Sequence, residues 1–535
     1  MRSASDAYDY IIVGAGSAGC VIANRLSVDP AVNVLVVEAG RSDRDLMLHV
    51  PGASIRNSTT PIFNWSYLTE EEQELQGRSL FWAQGKAVGG SSAINGMIYA
   101  RGNPKEYDAW RDAGCEGWGF DDVLPYFKKS EGSDRGASHW HGGDGPLKVS
   151  RGLPSLAIAD RFLSATAEDG YSILSDFNEA EQEGFGHYDC TIDRGRRCSS
   201  ATAFLHPALR RPNLHVMILT LATRVVFEGD RAAGLEVIRD GRTTILRAER
   251  EVILSGGAVN SPQLLMLSGI GPADHLKSHG IAVRSDSPEV GANLQNHVSY
   301  RMQFAVAEPI TAYKYVNFLG VTRAGVEYLL FRRGILADSV VPTGGFFRTE
   351  SNMNVTDVQV QLGVGLMGRV GKSVLQRLPK QHGFSLGINQ GRPHSRGEVR
   401  LRSNVATEHP IIAPRYFSDR RDMDTLVRGV ERMMSVAARP SLAKTITNAI
   451  LPPRDGSIAA IEESIRERAS TAFHPVGTCR MGSDATAVVD TSLRVRGVSG
   501  LRVADASIIP LLMNANTNAA VIMVGEKAAA TILAG

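Results

Sequence analysis

The sequence predicts an α/β protein whose chain opens with a Rossmann-like dinucleotide-binding unit, leaves it for a second domain and returns to it near the end. Three observations carry this. Tyr8-Asp9-Tyr10-Ile11-Ile12-Val13 runs straight into Gly14-Ala15-Gly16-Ser17-Ala18-Gly19, and Val34-Leu35-Val36-Val37 ends on Glu38. A second strand–glycine–helix transition stands at Glu251 to Ala258. The text changes texture between about 306 and 460, then turns glycine-rich again near Thr471.

Each part of the opening unit has a physical reason. A buried strand, a G-x-G-x-x-G turn, a helix, a second strand and a terminal acid make up the βαβ dinucleotide fingerprint. Gly14 permits the tight turn, Gly16 admits a pyrophosphate to backbone N–H groups, and Gly19 lets helix pack on strand. The helix N-terminus adds unpaired donors and a positive dipole end. Glu38 stands where an acid accepts hydrogen bonds from ribose hydroxyls, and its charge disfavours a 2′-phosphate.

Composition narrows the remaining choices. At 535 residues the chain exceeds one compact core, and its 43% hydrophobic content supplies ample core material. Lys+Arg total 58 against 56 Asp+Glu, a net charge of +2 without long runs of either sign. That balance argues against a nucleic-acid partner or a polybasic membrane anchor. Cys20, Cys115, Cys190, Cys198 and Cys479 show no C-x-x-C pair and read as reduced thiols, with no metal site. The apolar N-terminal stretch is broken by glycines, so neither a signal peptide nor a membrane span is expected, and a cytoplasmic location follows by default.

Further along, a helix is expected near Pro104 to Ala113. His139-Trp140-His141-Gly142-Gly143 reads as a surface loop, since no acid or cysteine set stands beside it to complete a metal site. Strands are expected at Leu214 to Leu219, Thr223 to Phe227 and Ala233 to Val237, and a helix at Ser261 to Leu267 that stops at Gly269. An amphipathic stretch covers Thr322 to Arg333, and Arg420 to Ala437 is strongly helical in period.

Gly85 to Tyr99 holds too many small residues for a packed core and suits backbone lying against a flat ring or phosphate. Extended through Asp108, it resembles the first signature of the glucose-methanol-choline (GMC) oxidoreductases; Gly257 to Gly271 resembles the second. Ala472-Phe473-His474-Pro475-Val476-Gly477-Thr478 and Asn516-Thr517-Asn518 resemble the family's catalytic ends. The likeness spans essentially the whole chain, weakest between about 306 and 390.

The resemblance implies an α/β (α+β) protein: an FAD-binding Rossmann-like domain over 1–155, 195–305 and 470–535, and a discontinuous substrate-binding domain on an antiparallel sheet over 156–194 and 306–469. It implies FAD, with pyrophosphate on Gly14, Gly16, Ser17, Ala18 and Gly19 and adenosine ribose at Glu38 and Ala39. The flavin would lie along Val88, Gly90, Ser91, Asn95, Gly96, Met97 and Ile98. Val225 would meet the adenine through its backbone, and Asp505, Ala506, Asn516 and Thr517 would close over the cofactor. Ile94 stands where some relatives bond a histidine covalently to the flavin, so the FAD is expected to be non-covalent.

By the same resemblance His474 is the general base and Asn518 orients the substrate oxygen. A base with pKa near neutrality suits removal of a hydroxyl proton as hydride leaves the carbon. Asn518 also suits a helix N-cap. Asn296 stands where the family usually has Asp, and His297 reads as structural or near the flavin's outer edge. Pro342 replaces an acid found in choline-type members, which weakens a quaternary ammonium substrate. The expected reaction is FAD-dependent oxidation of a primary alcohol to an aldehyde, with oxygen or a quinone or other carrier as acceptor. The alternative is a hydroxynitrile lyase-type or other non-redox enzyme on the same scaffold. A non-enzymatic flavin sensor is a third reading, disfavoured by the His474 and Asn518 pair. The oligomeric state is left open.

Overall fold

Strand Tyr8–Val13 is buried on both faces because parallel neighbours flank it: Val34–Val37 on one side and the end of Arg242–Leu254 on the other. The computed structural model describes residues 7–152, 156–366, 381–450 and 455–535. Leu214–Met217 extends this parallel sheet beyond Val34–Val37, and Leu501–Val503 joins it beside Arg242–Leu254. Near-continuous Val, Ile and Leu runs suit strands covered on both faces. The 13-residue strand Arg242–Leu254 does two jobs. Its first half pairs antiparallel with Arg231–Arg239, itself paired with Thr220–Glu228, and its second half enters the parallel sheet.

The first helix, Ser17–Leu26, packs against the last, Thr517–Ala534. Gly525 lets them approach, since a Cβ there would lie 3.0 Å from Ala18 and Val21. Arg25 and Lys129 reach the fully buried Glu526 carboxylate at 2.5 and 3.2 Å. Helix Pro104–Asp112 sits within a residue of its expected bounds, capped by Asn103 and Glu106. Helix Arg420–Ala437 has the expected bounds. Its Gly429 face lies on Ile388 and Val358 of the second sheet.

That second sheet is antiparallel over most of its width. Its order is Ile446–Ala449, Val298–Val306, Gly383–Gln390, Val358–Gly363, Thr343–Phe347, Gly184–His187 and Ile173–Leu174, with Ser470–Thr471 also on Val298–Val306. Strand Val298–Val306 departs from the expected division, which placed 195–305 with the dinucleotide-binding part. Among the described residues it pairs only within the second sheet, and buried apolar text on both sides leaves no compositional seam to mark the crossing. The expected boundary at 155/156 lies at the edge of the described residues.

Candidate active site

One long cavity runs between the two sheets. At one end Val37, Glu38, Ala39, Thr220, Leu221 and Ala222 line it; at the other stand Gly96, Met97, Val341, Gln361, Phe473, His474 and Asn516. Gly14, Gly16, Ser17 and Ala18 also line it, beside Gly256, Gly257, Asp505 and Ala506. The turn is sterically tight. Gly14 holds φ at +102°, and a Cβ there would stand 2.5 Å from the Ser255 carbonyl oxygen. The helix after it has no side-chain cap at Gly16, so its first N–H groups face the cavity unpaired by a side chain. Such an N-terminus lining an elongated cavity fits the pyrophosphate of an extended dinucleotide.

The acids around this turn shape the backbone first. Glu38 Oε2 accepts the Ala15 N–H at 2.8 Å and Oε1 the Gly40 N–H at 2.7 Å, tying the glycine turn to the strand end. Each carboxylate oxygen keeps acceptor capacity for a ribose hydroxyl. Burial pushes the Glu38 carboxyl up to about 7, against the pull of those two N–H groups. Asp505 is more fully engaged. It accepts from Gly257 N–H at 2.8 Å, Ser261 Oγ at 2.5 Å and Ser507 N–H at 2.8 Å. Its side chain therefore positions two cavity loops.

At the far end hydrogen bonds form one directed chain. The Gly391 carbonyl can only accept, so His297 Nε2 carries the proton it donates at 2.9 Å. Burial holds His297 down at about 4, so it is neutral and its Nδ1 is an acceptor. His474 Nδ1 lies 2.9 Å from that atom and must donate to it. His474 Nε2 is thereby left with a lone pair. Asn516 Nδ2 donates to it at 3.2 Å, and the Asn516 amide is oriented by Gln359 Nε2, which donates to its Oδ1 at 2.9 Å. These tautomer and amide assignments follow from the network.

The backbone under His474 is fixed as tightly. Phe473 is held at φ +65°, with its N–H on Thr471 Oγ1 at 2.9 Å, and His474 N–H donates to Asn296 Oδ1 at 2.8 Å. Met97, across the cavity, is also left-handed at φ +66°. Such conformations cost about 1–3 kcal/mol each and persist where surrounding structure dictates them. Burial, and secondarily His297, holds His474 well below the usual histidine range. The imidazole is neutral and its Nε2 can only accept, so it can take a proton, but burial makes it a weaker base than the near-neutral one expected from sequence.

Comparison with known proteins then identifies the family. Its N-terminal and C-terminal profiles, both described as GMC oxidoreductase, match residues 8–299 and 393–525. The chain belongs to the GMC oxidoreductases. It is similar to the mitochondrial choline dehydrogenase of Homo sapiens, 42% identical over 534 residues, covering 98% of this chain and 89% of that protein. It is likewise 42% identical over 531 residues to an alcohol dehydrogenase [acceptor] of Pseudomonas putida, covering 98% and 96%. A structure of the Aspergillus oryzae formate oxidase, concerned with modification of its FAD, superposes with TM-score 0.93 at 26% identity, covering 100% and 99%. As a GMC oxidoreductase the protein uses FAD and acts on CH–OH donors.

Most residues expected at the cofactor do line the cavity of this GMC oxidoreductase: Gly14, Gly16, Ser17, Ala18, Glu38, Ala39, Gly90, Ser91, Asn95, Gly96, Met97, Ile98, Asp505, Ala506, Asn516 and Thr517. Gly19 stands behind the wall, where a Cβ would lie 2.0 Å from the Gly14 oxygen, and Val88 is buried with its N–H on Arg41. Val225, expected to meet the adenine through its backbone, does not line the cavity. Its N–H is taken by Ser268 Oγ at 2.8 Å, and the strand meets the cavity earlier, at Thr220, Leu221 and Ala222.

Asn518 requires correction as the partner of His474. It lies one position inside the closing helix, and its Oδ1 accepts from Ser17 Oγ at 2.7 Å. Asn516, at the extended N-cap position, carries the amide that meets His474. His297, expected to be structural, supports the base directly. Gln359 carried no signal at all, because only the second sheet brings it to Asn516.

The 139–143 segment is a further correction. His139 is exposed, but His141 is buried with Nδ1 3.0 Å from Glu131 and Nε2 2.8 Å from Asp176. The acids do exist, brought from distant sequence. Burial alone would lower the His141 pKa, yet the Asp176 and Glu131 carboxylates raise it to about 9. Arg101 and Arg135 complete the network on Glu131 and Asp176 at 2.7 and 3.1 Å. Glu179 brings a third ligand atom near His141 and Asp176, but both His141 nitrogens are committed to carboxylates.

Proposed function

We propose that this GMC oxidoreductase oxidises a primary alcohol to its aldehyde, with His474 as general base and Asn516 as the donor that orients the substrate oxygen. The observation that carries the reading is the one-way chain from Gln359 through Asn516, His474 and His297 to Gly391, which makes His474 Nε2 an acceptor whose lone pair the Asn516 amide holds until a substrate hydroxyl takes its place. The hydroxyl proton passes to that nitrogen, and the Asn516 amide holds the oxygen as its charge grows. FAD, when bound, supplies at N5 the acceptor for the hydride that leaves the carbinol carbon. Met97, Val341 and Phe473 give this end an apolar wall that limits water. Ile94, buried against Leu48, Phe63 and Ala87, offers no nucleophile for a covalent flavin bond, so FAD is released by acid precipitation.

The substrate carries no cation. Pro342, beside Val341 on the cavity wall, supplies no anion to pair with a quaternary ammonium. Anaerobic mixing with a panel of primary alcohols and choline tests the proposal. Uncharged alcohols should bleach the flavin and yield aldehyde, with choline much slower. His474→Ala should slow bleaching by about 10²–10⁴, the usual worth of a positioned base. An unchanged rate in that variant would refute the assignment.

A further inference from the structure

Helix Phe318–Phe331 is turned inside out for a surface helix. Its buried positions are Gly320, Ala324 and Tyr328, a narrow stripe at helical spacing. Its outward positions are apolar: Phe318 is 83% exposed, Leu319 78%, Leu329 68% and Leu330 69%. At about 100° per residue these four, with Thr322 and Val326, fall within roughly 120° of arc directly opposite the buried stripe. Val316 and Leu46 add exposed apolar surface nearby; Leu46 precedes Met47, which packs with Tyr328 of the helix. Contiguous exposed apolar surface of this kind marks an interaction site.

The rim of this face is basic. Lys314, Arg323, Arg332 and Arg333 are all exposed. A hairpin from elsewhere adds exposed Arg194 and Arg196, its turn at Gly195 pressed so close to the Arg332 carbonyl that a Cβ would stand 2.1 Å away. The acids among these elements are Asp193, on the hairpin, half-buried Glu327, 3.8 Å from Arg333, and half-buried Asp45 beside Leu46. The surplus is therefore positive.

We infer that this helix docks the enzyme on an anionic lipid bilayer, lying in the interface with its apolar face among the acyl chains and its arginines at the headgroups. An apolar face ringed by Lys and Arg is the pattern of helices that lie in a membrane interface. Fourteen residues give about 21 Å of helix, short of the ~30 Å hydrocarbon core, so it lies on the membrane rather than spanning it. Among the described residues no helix is long and apolar enough to cross. The chain then runs from Gly334 to Val341 on the cavity wall, and Ser339 Oγ donates to the Gly96 carbonyl on the way. The docking helix is thus joined by a short segment to the alcohol end of the cavity.

Flotation of the FAD-loaded full chain with vesicles tests this, independently of the alcohol reading. The chain should float with vesicles of phosphatidylcholine and phosphatidylglycerol, and much less with phosphatidylcholine alone or at high salt. Leu319→Glu with Leu329→Glu should weaken flotation at least about tenfold, since two leucines lose their lipid contact. Arg323→Ala with Arg332→Ala should remove the preference for anionic vesicles. Both variants should keep flavin content and turnover of a water-soluble alcohol, because neither touches the cavity. A chain that stays lipid-free with both vesicle types overturns the inference. So does a solution dimer that the leucine substitutions dissociate, because a second copy would then be the occupant.

Discussion

At the Glu38 end of the cavity the groups that face a ligand are largely backbone, whereas at the His474 end they are side chains locked into one directed chain. Glu38 and Asp505 spend much of their hydrogen bonding on N–H groups of Ala15, Gly40, Gly257 and Ser507. Their acidity serves the shape of the loops. His297, His474, Asn516 and Gln359 instead hold each other's polarity. A cofactor that stays bound needs a rigid mould. A proton that moves in each turnover needs a donor order that cannot reverse.

The strongest way to break the mould is Gly14→Ala. The new Cβ meets the Ser255 carbonyl at 2.5 Å in a backbone region that disfavours side chains, so the variant should purify without flavin. A yellow, stoichiometric variant would show that turn geometry is not what holds FAD. The sharpest contrast comes from two asparagines two residues apart. Asn516→Ala should slow flavin reduction by about 10²–10³, the cost of removing one oriented donor at a developing oxyanion. Asn518→Ala should leave reduction within a few-fold and loosen the flavin through its lost Ser17 contact. Rapid mixing under anaerobic conditions separates them, and the reverse order would restore Asn518 as the partner.

Acid should affect the two halves differently. Burial, then His297, favours the neutral form of His474, and only that form accepts a proton. The acid limb of the reduction rate should therefore lie well below pH 6.5; a limb at 6.5 or above would contradict the geometry. The smallest effect concerns stability. The His141 pKa is raised to about 9 in the folded chain, so its network stabilises fully below the unfolded value and is lost as pH rises through 9. The stability gap between the native chain and His141→Asn should narrow between about pH 6 and pH 10, read by denaturant midpoints.

The fold was legible where a pattern is local. The turn from Val13 to Gly19, the helix Arg420–Ala437 and the strands from Leu214 onward follow from spacing a short window contains. Sites that depend on direction were harder. Asn516 and Asn518 read alike in sequence, and only the start of the helix decides which one reaches His474. Val225 and Ala222 lie on one strand, and the Ser268 hydroxyl decides which backbone is spent. His141 meets Glu131 and Asp176 only after folding. The amphipathic pattern after Thr322 was visible too, but periodicity does not say which face looks outward, and here it is the apolar one.

Because Leu501–Val503 and Thr517–Ala534 complete the sheet and cover the first helix, the two halves of the mould are made at opposite times. At 5–20 residues per second, roughly 25–100 s separate the emergence of Gly14 from that of Asn516 on the ribosome. Throughout that interval Ala18 and Val21 wait without Gly525. Flavin loading is thus a late event of biosynthesis, and a nascent chain stalled before residue 500 holds a nucleotide turn without Asp505, Asn516 or the closing helix.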